Sequence, residues 1–216
     1  MLTVWCVRVG NKYPIGYVYA LRDMVDKNLT IPYTFRCISD QEIPGVFCVP
    51  PKLDHKSWWA KFSLFPTVNS PSIYLDLDVV ITGNIDYLAD YTGTFSAAAN
   101  WAQSGYGGIQ SSVMAWPGNW SFPYDELMKV WPGETTSDGY TILNGQKFWG
   151  DQEFLWELLG DKWQAIPHVG SYKYHVRPTK KIPDWMKICV FHGRPDPHEV
   201  QDKCILPFIN KELFNV

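Results

Sequence analysis

The sequence predicts a single α/β domain with a mainly parallel central sheet flanked by helices. Short runs rich in Val, Ile, Leu and Phe alternate along the chain with segments whose apolar residues recur at helical spacing. The 216 residues, 46% of them hydrophobic, suffice for one sizeable core and are short for two. No internal repeat, low-complexity tract or linker divides the chain.

Residues 3–9 read as a first strand, closed by the Gly10-Asn11-Lys12 turn. Pro14 suits the start of a helix reaching Asn28, with Ile15, Val18, Leu21 and Val25 on one face. A second strand spans 33–39, and the Pro-rich stretch 44–51 is loop with room for one short strand. A short helix covers 57–65 (SWWAKFSLF), with Ser57 as its cap. Residues 72–81 (SIYLDLDVVI) form one apolar strand interrupted only by Asp76 and Asp78. Further strands fall at 95–100 and 110–116, helices at 124–130 and 151–159, and a last strand at 187–191. The Gly- and Ser-rich segments 101–108 and 131–150 are the candidates for long active-site loops.

Composition excludes some functions. With 19 Lys+Arg against 22 Asp+Glu, a net charge of −3, the chain lacks the basic excess of a non-specific nucleic-acid binder. No apolar run approaches the roughly 18 residues of a membrane-spanning helix. The N-terminal MLTVWCVRVGNKY reads as a strand, not a signal peptide. Five cysteines, none in a C-x-x-C pair, lie mostly in or beside apolar segments, as reduced buried thiols do, so a cytoplasmic location is expected. Eleven tryptophans can stack on sugar rings but also simply fill cores, and name no ligand.

Three motifs can carry chemistry. On a strand, Asp76 and Asp78 would point to the same side, where two unpaired carboxylates repel and a divalent cation removes the cost. The plainer reading is a solvated turn before Ile85; its apolar neighbours Tyr74, Leu75, Leu77, Val79 and Val80 argue against it. Asp-x-Asp on a strand also opens the haloacid-dehalogenase phosphotransferases, where the first Asp is the nucleophile. His192, directly after an apolar strand and followed by Gly193 and two prolines, offers an imidazole to a cation or simply bonds a backbone carbonyl. Asp151 and Gln152 open a helix, where Asp151 serves as a capping acid and Gln152 can project into a cleft.

The motifs WWAKFSLF, YLDLDVVITGNI, GDQEFL and FHGRPDPHEV, in that order, resemble those of a nucleotide-sugar glycosyltransferase of the GT-A fold. The likeness is to the glycogenin-like glycosyltransferase family 8 and its small bacterial and phage relatives, and it covers nearly the whole chain. It implies that residues 1–100 form a nucleotide- and metal-binding half. Residues 101–216 would form a half for donor sugar and acceptor that ends in a metal-ligand loop. Asp76, Asp78 and His192 would hold Mn²⁺ (or Mg²⁺) against the diphosphate of a UDP-sugar, with Leu77 and Gly193 alongside. Val7, Arg8, Val9, Asn11 and Asp40 would form the uridine pocket, and Lys61 would face the diphosphate or the sugar. Gln110, Ser111 and Ser112 would contact the donor sugar, while Asp151 and Gln152 would lie under the anomeric carbon as the catalytic pair. The donor would be UDP-glucose or UDP-galactose, the anomeric configuration would be retained, and the acceptor is not named by the motifs.

The chain departs from the family where a Lys usually follows the His-Gly. That position is Asp196, and Arg194 is the cation offered in its place. Gln110 replaces a usual Asn. Two other readings remain open at this point: a phosphatase using Asp76 and Asp78, and a non-catalytic nucleotide-sugar-binding protein.

Overall fold

The structure, a computed structural model, describes residues 1–53, 58–101 and 108–215. The first apolar run forms β1 (Leu2–Arg8), and helix α1 (Gly16–Asn28) returns the chain to β2 (Tyr33–Ser39). The two strands are parallel from Leu2 opposite Tyr33 to Arg8 opposite Ser39. β3 (Phe47–Val49) extends this edge, and β4 (Ser72–Leu75) joins the other side of β1. β5 (Val79–Ile81) follows, then β6 (Ser96–Ala99) and β7 (Ile109–Trp116). Helix α2 (Phe122–Met128) leads to three short strands, β8 (Glu134–Thr135), β9 (Thr141–Leu143) and β10 (Gln146–Phe148). Helix α3 (Asp151–Leu159), β11 (Gln164–Ile166), β12 (Val169–Ser171) and β13 (Ile188–Val190) follow in chain order.

The main sheet has seven strands in the order β11-β6-β7-β4-β1-β2-β3. Only β7 runs antiparallel to its neighbours, so the expected mainly parallel α/β architecture holds. Strand alternation divides the interior into two cores. Val4, Cys6, Ile73 and Leu75 point to the aliphatic side with α1, while Trp5, Tyr74, Met114 and Trp116 point to an aromatic side built with Trp59, Phe62 and Phe65. Most of the aromatic excess is therefore packing. All five cysteines are free.

The predicted strand over 72–81 is two strands in two different sheets. β4 belongs to the main sheet, whereas β5 pairs antiparallel with β13, which in turn is parallel to β12. The apolar run hid the break because both halves are fully buried on both faces, and such strands show no alternation. The predicted loop 131–150 holds the antiparallel β8–β9–β10 sheet. The helix predicted over 57–65 is a 3₁₀ helix, Trp58–Leu64, and its proposed cap Ser57 lies outside the described residues. Of the other loop candidate, residues 102–107 lie outside them too.

Candidate active site

The carboxyl ends of β1, β4 and β13, the start of the antiparallel β7 and the first turn of α3 enclose one cavity of about 600 Å³. Open α/β sheets bind ligands at this end. Asp76-Leu77-Asp78 lines the cavity as the turn between the two sheets. Its backbone is pinned on both sides: the Asp76 amide donates to the Ser112 carbonyl at 2.9 Å, and the Phe191 amide donates to the Asp78 carbonyl at 3.2 Å. The expectation that strand alternation aligns the two carboxylates is thus corrected. A turn spanning two sheets brings them to the same cavity.

Each carboxylate has its own tyrosine. The Tyr74 hydroxyl donates to Asp76 Oδ1, and the Tyr13 hydroxyl donates to Asp78 Oδ2 at 2.8 Å. Burial and the charge of Asp76 push the Asp78 carboxyl up to about 7, against the pull of the Tyr13 hydrogen bond. Burial and the neighbouring acid raise both tyrosine hydroxyls, keeping them protonated donors.

Lys61, on the 3₁₀ helix Trp58–Leu64, is buried among acids. Its ammonium lies 3.1 Å from Asp76 Oδ1, 3.3 Å from Asp151 Oδ2 and 3.1 Å from Ser111 Oγ. Burial opposes its charge, but Asp151 and Asp76 outweigh burial and hold its pKa above the usual lysine value. Burial likewise raises the Asp151 carboxyl, opposed by Lys61 and by a hydrogen bond from Ser111. The contact of Lys61 with Asp151 Oδ2 is an ion pair without hydrogen-bond alignment. Lys61 therefore ties Asp76, in the turn after β4, to Asp151, at the start of α3, and is not left free for a phosphate.

No protein-family model matches the chain, and no curated protein does. Solved structures do. The galactosyltransferase LgtC, in complex with donor and acceptor sugar analogs, superposes with a TM-score of 0.66 at 12% identity over 99% of this chain and 95% of LgtC. The glycosyltransferase GlyE of Streptococcus pneumoniae matches with a TM-score of 0.63 at 18% identity over 93% of this chain. The bifunctional glycosyltransferase WbbM matches with a TM-score of 0.61 at 11% identity. The chain spans 57% of GlyE and 48% of WbbM. The fold is a glycosyltransferase fold.

Within that glycosyltransferase fold most of the residues singled out from the sequence line the cavity. Val7, Arg8, Val9, Lys61, Asp76, Leu77 and Asp78 do so from the first half. Gln110, Ser111, Ser112, Asp151, Gln152, His192 and Gly193 do so from the second. Gln110 is folded back on its own strand, its Oε1 accepting from the Ser112 amide at 2.9 Å and its Nε2 donating to Ser112 Oγ at 2.8 Å. Arg8 is buried; its Nε donates to the Tyr13 carbonyl at 3.1 Å, while Nη1 has only a 3.7 Å ion pair with Asp40 and no hydrogen bond.

Three expected residues stand elsewhere. Asn11 and Asp40 are exposed and do not line the cavity. Asp40 instead accepts a hydrogen bond from the Gly10 amide at 2.9 Å, fixing the loop after β1. Arg194 is 74% exposed and does not line the cavity either. It is bound to Glu199 and lies 3.0 Å from Asp196. Asp196 caps the 3₁₀ turn Pro197–Glu199 in a capping box, the Glu199 side chain accepting from the Asp196 amide at 2.7 Å. The residue where the family has a lysine is a helix cap. Its D-x-x-E spacing was the available signal.

The cavity is also lined by residues to which the sequence reading assigns no role at the site: Lys12, Tyr13, Tyr74, Lys173 and the tryptophans 58, 101 and 149. Trp58 and Trp149 are 38% and 41% exposed, with near-parallel rings 6.2 Å apart at an interplanar angle of 24°. His192 is held by Ser171, whose Oγ lies 2.7 Å from Nε2, and its ring stacks on Tyr174. Burial, then the charge of Lys173, depress its pKa and favour the neutral imidazole that a metal needs.

Two carboxylates and an imidazole in one cavity are donor types that a hard divalent cation tolerant of nitrogen takes, and Asp78 is destabilised in its charged form. Among the described residues, no three such groups stand close enough to form a finished coordination shell. Each is bonded to a protein partner instead.

Proposed function

We propose that the protein is a metal-dependent glycosyltransferase that moves a hexose from a UDP-sugar to an acceptor, with retention of configuration. One observation carries the reading. The Asp76-Leu77-Asp78 turn, His192 and the Asp151-Gln152 helix start converge on one cavity at the carboxyl end of the sheet, in a glycosyltransferase fold. The likeness to LgtC, whose structure is a complex with donor and acceptor sugar analogs, supports a nucleotide-sugar donor. Among the described residues no helix is long and apolar enough to cross a membrane. The unpaired thiols support a reducing, cytoplasmic setting.

Asp76, Asp78 and His192 would hold Mn²⁺ or Mg²⁺, which when bound supplies a Lewis acid for the charge developing on the leaving diphosphate. The bond from the anomeric carbon to the phosphate oxygen breaks with its electron pair on the phosphate. The acceptor hydroxyl forms the new bond on the same face, and its proton passes to the departing phosphate oxygen. The sugar passes through an oxocarbenium-like state. Asp151 is engaged by Lys61, so the Gln152 amide is the polar group offered to that state. Arg8 and the backbone of Val7 to Val9 serve the uridine end. Lys61 acts by holding Asp76 and Asp151 in place.

The test is release of UDP from UDP-glucose and UDP-galactose with Mn²⁺, with UDP, GDP and ADP compared for ligand-induced shifts in Tm. Turnover should fall at least about a hundredfold in Asp76→Asn and in Asp78→Asn. UDP should bind at least roughly tenfold better than GDP or ADP. Full activity of either variant in Mn²⁺-restored buffer sinks the assignment. Phosphate release from p-nitrophenyl phosphate without sugar-nucleotide turnover would favour a phosphatase. Binding of UDP without turnover on any acceptor would favour a non-catalytic protein.

A further inference from the structure

A nucleoside diphosphate entering this cavity meets three carboxylates, Asp76, Asp78 and Asp151, and needs positive charge to be held there. Lys61 is spent on two of those acids, and Arg194 on Glu199 and Asp196 outside the cavity. Lys12 sits on the exposed loop after β1, its ammonium 4.7 Å from the centre of the Tyr13 ring. Lys173 lines the cavity as well. It differs from Lys61 and Arg194 in entering no ion pair among the described residues, and from Lys12, which also lines the cavity, in being half-buried rather than exposed.

Its position follows from strand register. β12 and β13 are parallel, with Ser171 opposite Val190. Lys173 and His192 each stand two residues past those partners, so the pairing delivers an ammonium and an imidazole to the same rim. A side chain on Gly193 would meet the Lys173 ammonium, since a Cβ there would lie 3.3 Å from Nζ, and Gly193 has the left-handed φ of +68°. The glycine thus leaves the lysine room against the His192-Gly193 backbone. The turn that carries Lys173 is a π-helical turn, Tyr172–Val176, closed by the Arg177 amide donating to the Tyr172 carbonyl at 2.7 Å. Such turns recur at functional sites.

We propose that Lys173 is the positioning residue that holds the diphosphate of the donor, and of the nucleotide product, through a charge-assisted contact to a phosphate oxygen. The proposal rests on the donor reading above and replaces the part that the sequence offered to Arg194. An ammonium acts as a point charge, so it orients the leaving group by attraction and not by a fixed fork.

Binding of UDP and of uridine to the full chain in Mn²⁺, read by competition against a fluorescent UDP analogue, tests this. Lys173→Ala should weaken UDP about ten- to a hundredfold and leave uridine unchanged. Lys173→Arg should recover most of the loss, and Arg194→Ala should stay within about twofold of wild type. The salt dependence of UDP affinity should flatten in Lys173→Ala. Unchanged UDP affinity in Lys173→Ala, or equal loss of UDP and uridine, overturns the assignment. So does loss of the preference for UDP over uridine in Lys12→Ala or Arg194→Ala while Lys173→Ala keeps it. Wild-type protein that binds no nucleoside diphosphate overturns the donor reading and the lysine with it, which separates the two failures.

Discussion

The Tyr13 hydroxyl donates to Asp78 Oδ2 at 2.8 Å, so the loop after β1 is fastened to the turn after β4 by a neutral donor and a buried acid. The hydrogen bond lowers the cost of ionising Asp78 but does not cancel it, since burial and Asp76 leave the carboxyl at about 7 in the ligand-free fold. Because the folded value lies above the unfolded one, the folded state holds this proton over a range where the unfolded chain has lost it. Stability from this group therefore falls as pH rises from about 4 to 7, and stays lowered above that. Asp78→Asn keeps the acceptor for Tyr13 and abolishes the titration. In metal-free buffer the variant should match wild type near pH 4 and exceed it at pH 8 by about 1–3 kcal/mol, a few degrees in Tm. Parallel Tm profiles of the two proteins between those pH values would refute this.

Lys61 is the opposite case, a buried cation whose removal strands two acids. Lys61→Met should cost about 3–5 kcal/mol, because buried Asp151 and half-buried Asp76 would be left uncompensated. Melting at pH 7.5 should drop by roughly 10 °C. Adding Asp151→Asn to Lys61→Met should restore part of the loss, since one of the stranded charges is gone. A double variant no more stable than Lys61→Met would mean that the ion pair with Asp151 contributes nothing.

Local pattern makes some of this legible in the sequence, and long-range pairing hides the rest. β2 and α3 occupy the residues that alternation and helical spacing predict, and the Asp76-Leu77-Asp78, Asp151-Gln152 and His192 motifs do meet in one cavity. Lys173 is invisible to local pattern because its place depends on the pairing of β12 with β13: the strand over 187–191 is read from the sequence, but the three-residue β12 and its pairing are not. Tyr74 reads as one of the apolar neighbours of the two acids, although it is two residues before Asp76, and no local pattern marks Tyr13. Arg194 misleads because charge near a glycine suggests a phosphate. The capping-box spacing of Asp196 and Glu199, which claims that charge, is the stronger local rule.

Ser171 fixes the imidazole that the proposed metal would use, with Oγ 2.7 Å from His192 Nε2. Groups that orient a ligand typically account for about ten- to a hundredfold in metal affinity. Ser171→Ala should accordingly weaken Mn²⁺ about tenfold, read as the Mn²⁺ concentration that half-saturates UDP binding. It should also cost about 1 kcal/mol of metal-free stability, since the buried Oγ also accepts from the Tyr174 amide at 3.3 Å as the cap of the turn Tyr172–Val176. His192→Ala should weaken it further. Identical Mn²⁺ titrations for wild type and both variants would remove His192 from the ligand set.

Gly150, the residue before Asp151, has an extended backbone (φ −175°, ψ −163°) that any residue adopts, so an alanine there meets only a steric cost. That cost falls on one side chain: the new Cβ would lie 2.6 Å from Trp58 Nε1. Trp58 opens the 3₁₀ helix that carries Lys61, and its ring lies near-parallel to that of Trp149 in the cavity lining. Gly150→Ala must therefore push the indole away and disturb the segment that holds Asp76 and Asp151 together. Overpacking of this kind costs about 1–3 kcal/mol, or several degrees in Tm. Trp58→Ala removes the obstacle, so in that background Gly150→Ala should cost less than about 0.5 kcal/mol. The coupling energy between the two positions should then be at least about 1 kcal/mol in a double-mutant cycle. If Gly150→Ala costs the same with and without the Trp58 ring, the close approach of the indole is not what requires glycine at this position.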